Sequence, residues 1–344
     1  MLFKYLLKRL LIMLPTLFGV TIIVFMIINL APGGPIEQKI QQLRFSGSAD
    51  DSGASTQSSG TSTVSKEVLE ALKRQYGFDK PIHTRYLIWL KNLATLDFGE
   101  SFTYEEPVLD VIISKFPVSM QFGIISLILS YLISVPLGIF KAVKNGSSFD
   151  IVTSFILFVM YSIPSFMLAI LLIVFLSGGS FLDIFPIGGL YSDMYMDLSF
   201  FGKIADRIHH FILPLFCYCL GSFTTLTILM KNSLLDEIKK DYIRTARAKG
   251  LNEKAVYMTH ALRNALIPIV TGLGSFLSVF FAGSLLLEKI FQLDGIGLLS
   301  YNSILSRDYN VIMGLVFIQS FLFLIGNILS DIAYVFVDPR IDFS

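Results

Sequence analysis

Between Phe116 and Phe140 the chain carries no Asp, Glu, Lys, Arg or His, and most of that stretch reads Ile124-Ile125-Ser126-Leu127-Ile128-Leu129-Ser130-Tyr131-Leu132-Ile133-Ser134-Val135-Pro136-Leu137-Gly138-Ile139-Phe140. A helix needs about 20 apolar residues to cross the hydrocarbon core of a bilayer. In that core only structures that satisfy their own backbone groups survive. The stretch therefore predicts a transmembrane helix. Five more runs have the same character: Leu10 to Ile36, Ile151 to Leu182, Phe211 to Met230, Asn264 to Leu287, and Tyr309 to Ser330, the last continuing past Asp331 to Val337. The expected fold class is all-α membrane, with six transmembrane helices. Composition agrees: 53% of the 344 residues are hydrophobic and 15% are charged, against roughly a quarter charged in soluble domains. Mean hydropathy is +0.68. A soluble enzyme is excluded, and a net charge of +1 gives no reason to expect a nucleic-acid partner.

Six spans put both termini on one side, and charge predicts which. Lys4, Lys8 and Arg9 precede the first run, which is too long for a cleaved signal sequence and reads as a retained span. The loop Lys231 to Arg263 holds Lys231, Lys239, Lys240, Arg244, Arg247, Lys249, Lys254 and Arg263 against four acids. The opposite short loops hold Lys203, Arg207, Lys289 and Arg307 with seven acids. The positive-inside rule then places both termini in the cytoplasm of a bacterial inner membrane. Three regions follow: residues 1–31, a cytoplasmic stub and first span; residues 32–115, an extracytoplasmic segment; and residues 116–344, a five-span core with the loop 231–263. Residues 46–65 are rich in Ser, Thr and Gly and predict disorder. Val68, Leu69, Leu72 and Tyr76 then recur at helical spacing up to Gly77, and Pro81 to Leu96 forms a second amphipathic piece with Trp89, a membrane-surface candidate.

The basic loop is the most informative part. Leu235, Ile238, Tyr242 and Ala246 fall at helical spacing, Gly250 stands where a helix end favours a left-handed residue, and Asn252 can cap a second helix from Glu253. Such a protrusion suits a cytoplasmic partner, or else a basic anchor on anionic lipid. Asp331 is flanked by span residues; a structural pairing with an arginine and a gate are both open readings. His260 and Arg263 stand at the entrance to the fifth span. His209 and His210 with Asp206 read better as interfacial anchors than as a metal site, since adjacent helical positions point about 100° apart. Cys217 and Cys219 read as small apolar filler. Pro164 and Pro268 remove backbone donors and predict kinks, and Gly272, Gly274, Ser275 and Ser278 permit close helix approach. There is no P-loop, nucleophile elbow or His-Glu-x-x-His, so no enzyme activity or bound cofactor is expected. A secondary transporter would need coupling-ion sites in repeated halves, and no internal repeat is visible.

The run Asp241-Tyr242-Ile243-Arg244-Thr245-Ala246-Arg247-Ala248-Lys249-Gly250-Leu251, followed by His260-Ala261-Leu262-Arg263-Asn264-Ala265-Leu266-Ile267-Pro268, resembles the cytoplasmic coupling loop of ABC importer permeases of the dipeptide and oligopeptide family. Ala31-Pro32-Gly33, Tyr76 to Ile82, Asp97-Phe98-Gly99-Glu100-Ser101, Ser306-Arg307-Asp308-Tyr309 and Leu329 to Tyr334 extend the likeness along nearly the whole chain. The Ser/Gly insertion before Tyr76, the Lys144-Asn145-Gly146-Ser147 loop and the ending Asp338 to Phe343 are similar to the first permease of Yej-type importers. The resemblance implies a type I ABC importer permease fold, one leading span plus five. It implies a second permease subunit, ATP-binding-cassette ATPase subunits that use ATP, an extracytoplasmic substrate-binding protein and a peptide substrate. It further implies that Thr245, Ala246, Arg247, Ala248, Lys249 and Gly250 couple to the ATPase, and that His260, Arg263 and Asp331 have gate or structural roles. A nickel-carrying member would need an intramembrane His or Cys ligand set, and none stands out.

Overall fold

A computed structural model describes residues 2–30, 34, 70, 78–178, 181–272 and 283–337. The chain divides into two compact units, one of Met1–Leu10, Lys115–Leu298 and Leu322–Ser344, the other of Leu11–Ser114 and Leu299–Phe321. Four described helices are long and apolar enough to cross a membrane. They are α1 (Leu2–Leu30), α3 (Val108–Val143), α6 (Phe200–Ile238) and α12 (Tyr309–Val337), with α2 (Ile82–Leu93) between the first two. At 1.5 Å per residue, α3 is about 54 Å long and overshoots a core of about 30 Å, so its ends reach beyond the hydrocarbon.

The third expected span is not one straight helix. It breaks into α4 (Ser148–Ser162) and α5 (Ser165–Leu176), bent by 95°. The cause is local: Pro164 lacks an N–H, and proline pushes the residue before it out of the helical region. Ile163 accordingly sits at φ −90°, ψ 121°. The fifth expected span is also interrupted, into Leu262–Ala265 (α8), Ile267–Thr271 (α9) and Leu285–Ile290 (α10), with Pro268 in the first turn of α9, where its missing donor costs nothing. Gly274, Ser275 and Ser278 lie outside the described residues, as do residues 46–65, Val68 to Gly77 apart from Glu70, and the tail from Asp338. The described residues therefore establish four spans, or five if the bent pair is one.

In the first unit, spans are held by packing and by hydroxyls bonding across helices, the pattern expected where lipid offers no competing partner. Tyr131 donates to the Ile269 carbonyl at 3.1 Å, Ser134 to Phe223 at 3.2 Å and Thr224 to Leu157 at 3.0 Å. Gly138 lets α3 approach α6 closely: a Cβ there would lie 2.6 Å from Met230 Cβ. One apolar cluster stacks Phe122 on Phe211, with centroids 4.5 Å apart, among Cys217, Leu287, Phe291 and Leu293. Both cysteines are buried free thiols, and Cys219 donates to the Ser126 carbonyl.

The second unit has its own small core of Phe25, Ile28, Tyr86, Trp89, Tyr309 and Met313. Trp89 is buried and stacked on Tyr86, turned inward by the apolar face of α2. Two motifs some 200 residues apart meet here. Ser101 Oγ and the Thr103 N–H donate to one Asp308 oxygen at 2.5 and 3.0 Å, and the other oxygen accepts from Val311 N at 3.3 Å, capping α12. α11 (Ile296–Leu305) leads into this turn.

Candidate functional site

The basic loop folds as an elbow. The helical stripe from Leu235 to Ala246 is not one helix: α6 runs to Ile238, and a separate helix, α7, spans Asp241–Ala248. Lys240 lies between them at φ −71°, ψ 153°, an extended conformation that changes the helix direction. Gly250 follows at φ +79°, the left-handed region expected of it, and its N–H bonds the Arg247 carbonyl at 2.9 Å. Asn252 Oδ1 accepts from Ala255 N at 2.7 Å, as a cap should. A π-helical turn, Val256–Ala261, then carries the chain toward α8.

The inner face of the elbow is fastened to the spans. Ile243, Ala246, Val256, Ala261, Ala265 and Ile269 are buried against Ala142, Met230 and Leu234. Ala246 therefore faces inward, on the side of α7 opposite an outward set. That set is Asp241, Arg244, Thr245 and Ala248, exposed at i, i+3, i+4 and i+7, one face of the helix. Lys249 and Gly250 are exposed beyond it, and Arg247 is half-buried.

The charges of the elbow are largely matched. Arg247 makes a two-pronged contact with Glu253 at 2.9 and 3.2 Å, Lys240 pairs with Glu237 at 2.5 Å, Lys239 with Asp236 at 3.7 Å and Arg244 with Asp241 at 3.4 Å. The Arg247 guanidinium holds the Glu253 carboxyl below its ordinary range, so this pair is intact at neutral pH and opens only on strong acidification. Tyr242 donates to Glu237 at 2.5 Å and accepts from Asn264 Nδ2 at 3.0 Å, a link across the elbow that the helical spacing did not reveal.

His260 and Arg263 are exposed, with no hydrogen-bond or ionic partner among the described residues. Asp331 has two: Arg9 at 3.0 Å and the Tyr5 hydroxyl at 2.9 Å, both from the start of α1. His209 bonds the Ile184 carbonyl at 2.6 Å and His210 the Asp206 carbonyl at 2.9 Å.

Two charged clusters went unread in the sequence. Lys141 is fully buried; its ammonium contacts Asp150 at 3.0 Å and donates to Thr153 and Ser154 at 2.8 Å. Lys231 grips both Asp150 oxygens at 2.8 and 2.7 Å, so one carboxylate joins α3, α4 and α6 beside the apolar base of the elbow. The signal was a lysine set between Phe140 and Ala142, a place where a cation must find an anion. Glu288, counted in the sequence as a loop acid, is fully buried. It accepts from Ser119 Oγ at 2.9 Å and Leu298 N at 2.7 Å. Gly295 stands so close that a Cβ would lie 2.7 Å from its carboxyl carbon.

Comparison with known proteins identifies the kind of protein that carries this loop. Residues 134–343 match the family model described as binding-protein-dependent transport system inner membrane component. The chain is 47% identical to the peptidoglycan transport system permease protein YejB of Agrobacterium fabrum, and 43% identical to the inner membrane ABC transporter permease protein YejB of Escherichia coli O157:H7, each over 98% of both chains. It is 35% identical to the oligopeptide transport system permease protein AppB of Bacillus subtilis, over 98% of this chain and 99% of that one.

Proposed function

We propose a role for the elbow from the premise that this chain belongs to the family of binding-protein-dependent transport system inner membrane components. The chain is a non-catalytic permease subunit of an ABC importer of peptides. Its partners in general terms are a second permease, ATPase subunits and a binding protein. The finer reading is ours: α7 is the contact to the ATPase, seated through Asp241, Arg244, Thr245 and Ala248, while Gly250 reverses the chain behind it. One observation carries this. The inner face of α7 is locked to the spans and its outer face is uncommitted, so a push on the outside moves the spans. Transport then follows if the closed ATPase pair favours the outward-open arrangement of the spans. The three-region division, the cytoplasmic placing of both termini, and a peptide cargo delivered by the binding protein complete the proposal.

A lipid anchor fits less well, because four of the loop's cations already have acidic partners within it. The test is Ala248→Trp in the assembled transporter. The bulky group should lower labelled-peptide uptake and peptide-stimulated ATP hydrolysis at least tenfold, about 1.4 kcal/mol of lost coupling, with thermal stability unchanged. Uptake at the wild-type rate in a complex of normal composition overturns the reading.

A further inference from the structure

Within the second unit lies a cavity of about 310 Å³, outside everything the coupling argument uses. It sits at the ends of two helices: Ile28 and Asn29 come from the last turn of α1, and Tyr309 and Asn310 from the first turn of α12. It is therefore at the depth where a membrane presents its headgroups rather than its tails.

Its lining is aromatic and cationic. The Arg85 guanidinium lies 3.9 Å from the centroid of Phe78 and 5.9 Å from that of Phe25. No carboxylate or hydrogen-bond acceptor takes its side-chain N–H groups among the described residues, although it is half-buried. Lys80, the second cation of the lining, is exposed and likewise has no anionic partner there. Asp97 is the one acid among the described lining residues, and one of its oxygens is engaged by the Gly99 N–H at 2.9 Å. A partly desolvated guanidinium with its fork of donors unused is a planar receptor for an oxyanion. Next to this polar spot the surface turns apolar, with Ile27, Leu30 and Leu87 each more than 60% exposed.

We propose that this cavity binds the headgroup of an anionic phospholipid, Arg85 and Lys80 holding the phosphate while the acyl chains lie against the apolar surface beside it. A peptide carboxylate would engage the cations alone; an amphiphile engages the cations and the adjoining apolar surface in one molecule. The proposal does not depend on what the elbow contacts.

The experiment uses the whole transporter purified in detergent and stripped of lipid, with native mass spectrometry counting lipid retained on this subunit. Phosphatidylglycerol, phosphatidylcholine, inorganic phosphate and a dipeptide are added separately. Wild type should retain phosphatidylglycerol roughly 25-fold better than phosphatidylcholine, the order expected of two cations at a membrane surface. Arg85→Gln and Lys80→Gln should each reduce that retention about fivefold. Lys91→Gln, on the same helix but outside the cavity, should not. Should Arg85→Gln fail to assemble, Arg85→Lys keeps the charge, and the preference of the wild type alone decides. Equal retention of the two lipids, displacement of phosphatidylglycerol by inorganic phosphate, or its displacement by the dipeptide overturns the proposal.

Discussion

Gly250 and Ala246 stand four residues apart in the elbow and fail in different ways when changed. Around Gly250 there is open space, so a side chain meets nothing; the obstacle is the backbone at φ +79°. Gly250→Val should cost about 1–2 kcal/mol of local stability. It should depress uptake by displacing α7, while Gly250→Asn, whose side chain tolerates the left-handed region, restores most of it. Ala246→Asp instead places a carboxylate in an apolar cluster. The expected loss is several kcal/mol, visible as a lower thermal midpoint of the purified complex. Ala248→Asp, one face round, should leave that midpoint unchanged. If Ala246→Asp and Ala248→Asp melt alike, the assignment of inner and outer faces fails.

The elements rest on one shared charge. Asp150 pairs with both Lys141 and Lys231, and through them α3, α4 and α6 meet at a single point under the elbow. Removing one partner of a buried ion pair costs about 3–5 kcal/mol, because the other charge is left behind. Asp150→Ala strands two cations and should lower the thermal midpoint sharply. Removing Lys141 as well, in Lys141→Met/Asp150→Ala, should recover part of the loss. A double variant no more stable than the single one would show that the three groups do not act as a unit. The break at Pro164 is a different kind of constraint. Pro164 itself caps α5 without a side-chain hydrogen bond and holds Ile163 extended, so Pro164→Ala is expected to relax the bend.

For the molecule as a whole, sidedness can be read directly. Met196 and Asn252 are exposed on loops that the six-span expectation puts on opposite faces. Cysteine at Met196 should react with an impermeant maleimide in intact cells, and cysteine at Asn252 only after permeabilisation; the reverse pattern sinks the assignment of the termini. The long uncharged runs were legible in the sequence because burial in lipid leaves a compositional mark that needs no partner. Gly250 and Asn252 were legible because a helix end constrains single residues locally. The interruption at Lys240, the inward turn of Ala246 and the sharing of Asp150 were not, since each depends on which distant residue occupies the other side. Asp331 was half legible: its isolation among span residues called for an arginine, but nothing in the spacing pointed to Arg9.

That clasp between the chain's two ends has a consequence in time. Tyr5 and Asp331 are 326 residues apart, and at 5–20 residues per second a ribosome needs roughly 15–65 s to make the stretch between them. Through that interval Arg9 has no Asp331 to bind and is free to act as a span-flanking cation while the first helix inserts. Only when the last helix arrives does the same guanidinium become a fastening. One residue thus serves first as a signpost and later as a lock, and the lock closes only on a chain that has been synthesised as far as Asp331.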